Sequence, residues 1–448
     1  MGETERLIES VKELLGGGRD ERLAALLEDA YAADVASIIR ELPTADQIRV
    51  FRLLAPEHAG DVLGELGDST ARELLHALDE GEVSRILERM AAVEVVEVVE
   101  ELPKEEADKL LDLMEEKKSE EVQEILEYDE GTAGRLMSPD FVAVPESTTV
   151  GQAIEHIRKS KTGEDAFYLY VIDDHEHLVG MVPLHRLLTA DLAAPIRAIR
   201  DEDVESVTVD TDQEEVARLV ERYDLIQVPV VDAGRRLLGA ISVDHVIDVI
   251  HEEATEDIQR LGGAAGDETA LDPPQTVFGR RLVWRLVNLG TAVLAASVIG
   301  LFESSIQSLA LLAVFMPIVA SMGGIGTTQT ATVVVRGLAL GELTRSMLPR
   351  VFKKEVWLAL TTGAVNGLVI GVIAYAWKGQ LLLSAILGLA LLINMVVAAV
   401  AGTLVPFALR AFRIDPAIAS SVIITTFTDV FGFFSFLGLA TLLIRFLL

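Results

Sequence analysis

The sequence predicts a multidomain chain: an all-α superhelical N-terminal array, a tandem α/β pair and an α-helical bundle of five transmembrane helices. Three observations predict it. Leucine or methionine recurs every 12 residues in the first 130, a 19-residue segment recurs at an offset of 59, and five long apolar stretches follow Arg285. Charge divides at the same place. The net charge is −32, yet residues 280–448 hold 12 basic and 5 acidic residues, leaving 26 basic and 65 acidic in 1–279. An acidic surface of that size repels nucleic acid and attracts cations, unless it is simply solvated. Cysteine is absent, which excludes disulfides and thiolate metal sites.

Residues 1–130 form the expected helical array. Leu42, Leu54, Leu66, Leu78, Met90 and Leu102 keep the 12-residue spacing, and turns such as "LPTAD", "LAPEH" and "LPKEE" follow several of them. Short amphipathic helices interrupted by Pro or Gly cannot bury an apolar face alone, so they stack. No catalytic constellation lies among them. "MGETERLIESVKELLGGG" lacks an apolar signal segment, so this region is expected to stay in the cytoplasm.

The second repeat falls in 135–255. "YVIDDHEHLVGMVPLHRLL" (170–188) aligns without gaps on "PVVDAGRRLLGAISVDHVI" (229–247), and "VAVPESTTVGQAIEHI" resembles "VTVDTDQEEVARLVERY" upstream. Each copy reads as strand, helix, strand, strand, helix. That pattern resembles a tandem pair of CBS domains, 131–195 and 196–250, which usually serve as a regulatory module. Such modules often hold adenine nucleotides through a Ser/Thr and then an Asp after the Gly before the last helix. Here those positions are Pro183 and Arg186 in one copy, Ser242 and His245 in the other. The departure argues against ATP at this pair.

An acidic connector, 244–278, follows. Asp244, Asp248, Glu252, Glu253, Glu256 and Asp257 fall at helical spacing beside an apolar face of Val246, Val249, Ile250 and Ile258. Like charges at i,i+4 destabilise a helix by a few tenths of a kcal/mol each, about 0.2–0.5. Such a helix is either merely solvated or a cation-responsive connector.

Residues 279–448 supply the membrane half, with apolar stretches at 286–302, 304–335, 356–377, 379–409 and 416–444. A hydrocarbon core about 30 Å thick needs roughly 20 apolar residues per helix, so the first stretch must borrow from its flanks. Arg280, Arg281, Arg285, Arg345, Arg350, Lys353, Lys354, Arg410 and Arg413 fall on one side, against Lys378 and Arg445 on the other. Positive residues favour the cytoplasmic side, so the N-terminus is expected inside the cell membrane and the C-terminus outside. The second stretch holds Pro317, Gly323, Gly324 and Gly326 and the polar run Thr327, Thr328, Gln329, Thr330 and Thr332. These residues suit irregular backbone lining a wet cavity or tight packing through small residues.

Asp429 stands near the middle of the last stretch, where an aspartate costs about 2.5–3.5 kcal/mol. No Lys, Arg or His in the adjoining segments offers a clear counter-ion. Either the carboxyl is neutral and hydrogen-bonded in the bundle, or it meets a passing cation. Thr425, Thr426 and Thr428 add oxygens beside it.

Taken together, the chain resembles the MgtE family of magnesium channels and transporters over essentially its whole length. The resemblance rests on "YDEGTAGRLMSPDFVAV", "DTDQEEVARL", "EEATEDIQRLGG", "MGGIGTTQTATVVVRGLA", "RIDPAIASS" and "TDVFGFF", which occur in family order. It implies a homodimer in the lipid bilayer, with a pore for divalent cations on the two-fold axis and a plug helix that closes it when cytosolic Mg2+ is plentiful. Asp429 matches the pore aspartate, and Asp415 an acidic position at the cytoplasmic mouth. Asp212, Glu214 and Asp224 match acidic positions of the second CBS copy. Asp244, Asp248, Glu253, Glu256 and Asp257 match those around the plug, and Glu80 and Glu82 lie near one in the N-terminal array.

Three positions depart from the family pattern. Ile325 stands where Gly-Gly-Asn is usual, Ser421 replaces an asparagine near the pore, and His245 follows Asp244 in place of a second acid. The first two bear on ion selectivity and leave Co2+ or Mn2+ as alternative cargo. The third removes a charge from the sensor and is expected to add pH dependence. A membrane-tethered sensor that conducts nothing is the other alternative. No P-loop, catalytic triad or hydrolase motif appears, so an enzyme is not expected.

Overall fold

The 12-residue period becomes a ladder of short helices. A computed structural model of the chain describes residues 3–100, 102–160, 166–264, 266, 268–270, 272–412, 414–417 and 422–443, and the chain divides into two compact units at Ile250. Among the described residues, ten helices build the array: α1 (Glu3–Gly16), α2 (Asp20–Glu28), α3 (Ala32–Arg40), α4 (Thr44–Arg52), α5 (Pro56–Gly64), α6 (Asp68–Ala77), α7 (Glu80–Leu87), α8 (Ala92–Glu100), α9 (Lys104–Leu113) and α10 (Glu116–Leu126). The prolines start helices rather than break them: Pro56 opens α5, and Pro43 and Pro103 precede α4 and α9. This agrees with a fixed φ and a missing N–H that the first turn does not need. Along the array, helices pack mainly on the one two places further, α1 on α3, α3 on α5, α5 on α7 and α7 on α9. Leu42, Leu66, Met90 and Leu102 are buried in a single continuous core with Phe51, Leu63 and Leu87.

The tandem repeat folds twice with the same register. After α11 (Ala133–Leu136), the first copy runs β1 (Ala143–Pro145), α12 (Val150–Lys159), β2 (Tyr168–Ile172), β3 (Leu178–Pro183) and α13 (Leu184–Leu187). The second runs β4 (Val207–Thr208), α14 (Gln213–Tyr223), β5 (Gln227–Val231), β6 (Leu237–Ser242) and α15 (Val243–Leu261). Each sheet joins a parallel first pair to an antiparallel hairpin. Tyr168 opposes Pro183 as Gln227 opposes Ser242, and the register slips at Val171/Ile172 as at Val230/Val231. Every one of these equivalences keeps the offset of 59. Tyr170, Leu178, Val231, Leu237 and Ala240 cluster where the copies meet, and the Tyr170 hydroxyl donates to Gln227 Oε1 at 3.1 Å. Burial, reinforced by neighbouring Tyr168, pushes the Tyr170 phenol well above its usual value.

In the second unit, α16 (Pro274–Gly300), α18 (Leu311–Ala339), α19 (Leu348–Lys378), α20 (Leu381–Ala411) and α21 (Val422–Leu442) are long, and a short α17 (Glu303–Ser308) follows α16. Among the described residues, five helices are long and apolar enough to cross a membrane. Three expected starts change, the third span beginning at Arg345 instead of 356. The first span starts near Val277 instead of 286, because Arg280, Arg281 and Arg285 ride on its first turns. The second starts at Leu311, since Glu303 to Ser308 forms a separate turn of helix. Of the positive-side residues, Arg413 lies outside the described residues, as do Arg445 and Ser421. Helix α20 is the hub and packs on α18, α19 and α21. Helix α16 packs on α21, and its Phe278, Val283, Leu286, Leu289 and Val293 are exposed, as a lipid-facing helix requires.

Candidate cation pathway

The glycines of the second span serve packing. Helix α18 continues unbroken through Pro317 and Gly323–Gly326, so irregular backbone, one of the two expectations, does not occur there. At Gly323 an added Cβ would collide with Asn394 Nδ2 of α20 and lie 3.1 Å from Thr428 Cβ of α21. Only hydrogen fits. The polar run divides by face. Thr327 and Thr330 are buried, whereas Ile325, Thr328, Gln329 and Thr332 are exposed along one stripe.

Asp429 is partly buried on α21, and among the described residues no side chain pairs with its carboxylate. Its threonine neighbours turn their hydroxyls onto their own helix: Thr426 donates to the Val422 carbonyl at 2.6 Å and Thr428 to the Thr425 carbonyl at 2.9 Å. Thr428 is fully buried against α18 and α20 and so serves the packing, while Thr425 and Thr426 are partly open.

A second buried carboxyl went unnoticed in the sequence. Glu355, just before the expected third span, is 5% exposed; Thr330 Oγ1 donates to its Oε2 at 3.3 Å and Lys354 Nζ lies 2.9 Å from Oε1. The signal available was an acid followed at once by apolar residues, but its neighbour Lys354 suggested a solvated end. Arg410 donates to the carbonyls of Leu338 (2.9 Å) and Leu343 (3.2 Å), tying α20 to the end of α18 and the turn after it.

The connector is helical as expected, in α15. Val246 and Val249 are buried, but Ile250 and Ile258 of the same face are 45% and 70% exposed. Arg260, near its end, pairs with both Glu256 and Asp415. Asp415 also accepts from the Ala417 N–H at 2.8 Å. Two carboxylates from separate elements thus converge on one positive charge. Their hard oxygen donors suit Mg2+, so the donor set fits a divalent ion wherever the guanidinium is displaced. Arg260 was not anticipated; its i,i+4 spacing from Glu256 was the available signal.

The other expected ligands are placed singly. Asp212 caps α14 by accepting from the Glu214 N–H at 2.9 Å, and Glu214 itself pairs with Arg218. Asp224 ends α14 in the left-handed region at φ 51°. Asp244 and Asp248 are exposed on α15, and Glu253 and Asp257 are partly exposed with interactions of their own. Glu80 opens α7, and Glu82 forms a reciprocal cap with Asp79. Among the described residues, no three acidic or histidine side chains come together to hold a metal.

Family profiles match three parts of the chain: an MgtE divalent cation transporter over 316–439, an MgtE intracellular N domain over 30–131, and CBS domains over 133–193 and 196–252. The magnesium transporter MgtE of Bacillus subtilis (strain 168) is 30% identical over 433 residues, 96% of this chain and 96% of that protein. That of Thermus thermophilus is 35% identical over 329 residues, 71% of each. Among solved structures, the soluble part of a magnesium transporter matches 56% of this chain and 100% of its own at 28% identity and a TM-score of 0.52. The cytosolic domain of the Mg2+ channel MgtE in complex with ATP matches 54% of this chain and 99% of its own at 33% identity, also with a TM-score of 0.52.

Fold and site together define a multi-pass membrane transport protein with a helical N domain and a CBS pair, not an enzyme. The chain belongs to the MgtE family of divalent cation transporters.

Proposed function

We propose that this chain is a homodimeric Mg2+ channel of the cell membrane, with its N-terminal region in the cytoplasm and its C-terminus outside. The observation that carries the reading is Asp429, a partly open carboxylate on a membrane-spanning helix with no partner among the described residues. Two copies facing across a two-fold axis would offer two negative charges to a divalent ion. Mg2+ sheds its waters reluctantly, so a pair of carboxylates holds the hydrated ion without trapping it, as conduction requires. The exposed stripe of Thr328, Gln329 and Thr332 supports the dimer, because an open amide on a spanning helix needs water or a second subunit. The relatives named above as magnesium transporters support the choice of ion.

Cytosolic Mg2+ closes the channel in this reading. Asp212, Glu214, Asp224, Asp244, Asp248, Glu253, Glu256, Asp257, Asp415, Glu80 and Glu82 are the candidate acidic ligands. Their mutual repulsion favours an extended state, and bridging cations a compact one. A ligand shifts such an equilibrium only by its differential affinity for the two states, so many weak sites filling together give a steep response. At the positions where such modules often hold nucleotide, Arg186 is tied to Asp201 at 2.7 Å and Ser242 to His245 at 2.8 Å, which weighs against ATP at this pair, although one similar cytosolic domain is solved in complex with ATP.

Divalent flux into proteoliposomes tests the proposal, comparing the intact chain with Asp429→Ala and with a chain lacking residues 1–130. Mg2+ entry that Asp429→Ala stops, and that truncation makes less sensitive to cytoplasmic Mg2+, supports pore and sensor. Entry of Co2+ or Mn2+ in preference to Mg2+ would reassign the cargo. If no divalent ion crosses although every version is folded, the protein is a non-conducting sensor.

A further inference from the structure

We infer that Asn394 is the positioning residue of the pathway: it sets the rotation of α21 and thereby the direction of Asp429. The inference rests on the transport reading for its consequence, but its geometry stands apart from that reading. Helices α18, α20 and α21 meet at one point, and the side chain of Asn394, 0% exposed, fills it. Asn394 Nδ2 donates to the Val319 carbonyl of α18 at 2.9 Å. Toward α21 its carboxamide lies flat on Gly432, where an added Cβ would fall 2.6 Å from Nδ2, 2.9 Å from Cγ and 3.0 Å from Oδ1. Gly323 on α18 leaves the matching gap on the other side.

The two attachments differ in kind. The hydrogen bond fixes α20 to α18. Toward α21 there is shape alone: Asn394 Oδ1 is buried and has no hydrogen-bond partner among the described residues, and the nearby Thr428 hydroxyl donates elsewhere. A buried acceptor without a donor is costly, so at the α21 contact the carboxamide supplies shape and orientation and no hydrogen-bond cohesion. Gly432 follows Asp429 by three residues, less than one helical turn. Whatever fixes the angle at which Gly432 faces Asn394 therefore fixes the angle of the carboxylate. Turning α21 by about 20° would carry a side-chain tip, at a radius of about 5 Å, through about 2 Å. That distance separates direct contact with a cation from contact through water.

The absence of native cysteine allows a direct test. Single cysteines at Thr425, Thr426, Asp429 and Val430 in the full chain in liposomes would be labelled with a charged methanethiosulfonate, with Asn394 intact and with Asn394→Leu or Gly432→Ala. We expect the most reactive position to move to a neighbour, with rates changing by about tenfold or more. In the chain retaining Asp429, Asn394→Leu should raise the half-saturating Mg2+ concentration more than it lowers maximal flux. An unchanged labelling pattern in the folded variants would overturn the inference and leave Asn394 as packing alone. If Asn394→Leu does not fold, Asn394→Ala and Gly432→Ala carry the same comparison. Absence of flux from the unmodified chain would overturn the channel reading, while the labelling pattern would still decide the role of Asn394.

Discussion

Arg260 donates to Asp415, 155 residues further along the chain, while its other terminal nitrogen pairs with Glu256 one helical turn earlier. A tethered cation thus occupies carboxylates that the family resemblance assigns to sensing. Removing it leaves two acids for solution ions. If cytoplasmic Mg2+ closes the pore as proposed, Arg260→Gln is expected to lower the half-closing concentration by about fivefold, the equivalent of an ion pair worth about 1 kcal/mol. Flux recorded against graded internal Mg2+ reads this directly. A rise in that concentration would mean that Arg260 supports the closed state and does not compete with the ion.

The helix crossing predicts a graded response to the smallest substitution. Gly323→Ala and Gly432→Ala force a methyl into Asn394 and are expected to cost about 1–3 kcal/mol each. Gly324→Ala adds a methyl where nothing lies within 4 Å and should be neutral. Thermal unfolding of the three variants in detergent checks the order.

Tyr170 makes the CBS pair sensitive to alkali. Its folded value is raised by burial above the ordinary 10.0. The stability it contributes is therefore full below pH 10 and is lost as pH climbs from there through the higher folded value. Spectrophotometric titration should show its phenol ionising last, together with unfolding, and Tyr170→Phe should remove that step. The same variant forfeits the bond to Gln227, worth about 1 kcal/mol near neutrality.

Glu355 is expected to tolerate loss of its charge better than loss of its shape. Glu355→Gln keeps a hydrogen-bond acceptor for Thr330, whereas Glu355→Ala opens a cavity beside an orphaned hydroxyl, at about 2 kcal/mol or more. Yield of folded protein and its unfolding temperature separate the two.

The fold was legible because each of its parts repeats a local rule. Twelve-residue spacing gives helices that must stack, a gapless offset gives two hairpins in one register, and apolar length gives spans. The details of the pathway were less legible because they depend on which residues meet. Nothing local marks Asn394 as the meeting point of three helices, or Arg260 as the partner of a residue 155 positions away. Glu355 lay one residue beyond the span drawn from hydropathy. The sites expected for metal in the soluble half follow family position, and several of those acids also cap or end helices: Asp212 caps α14, Asp224 ends it, and Glu82 caps the start of α7 with Asp79.

The helical ladder of the first 126 residues has a mechanical consequence. Its helices rest chiefly on near neighbours, α1 on α3 and so on to α7 on α9, so a load applied at one end is shared among many small interfaces in series. Such a stack behaves as a soft spring: it changes pitch by a little at each joint, and it stores and returns elastic energy without any single joint having to break.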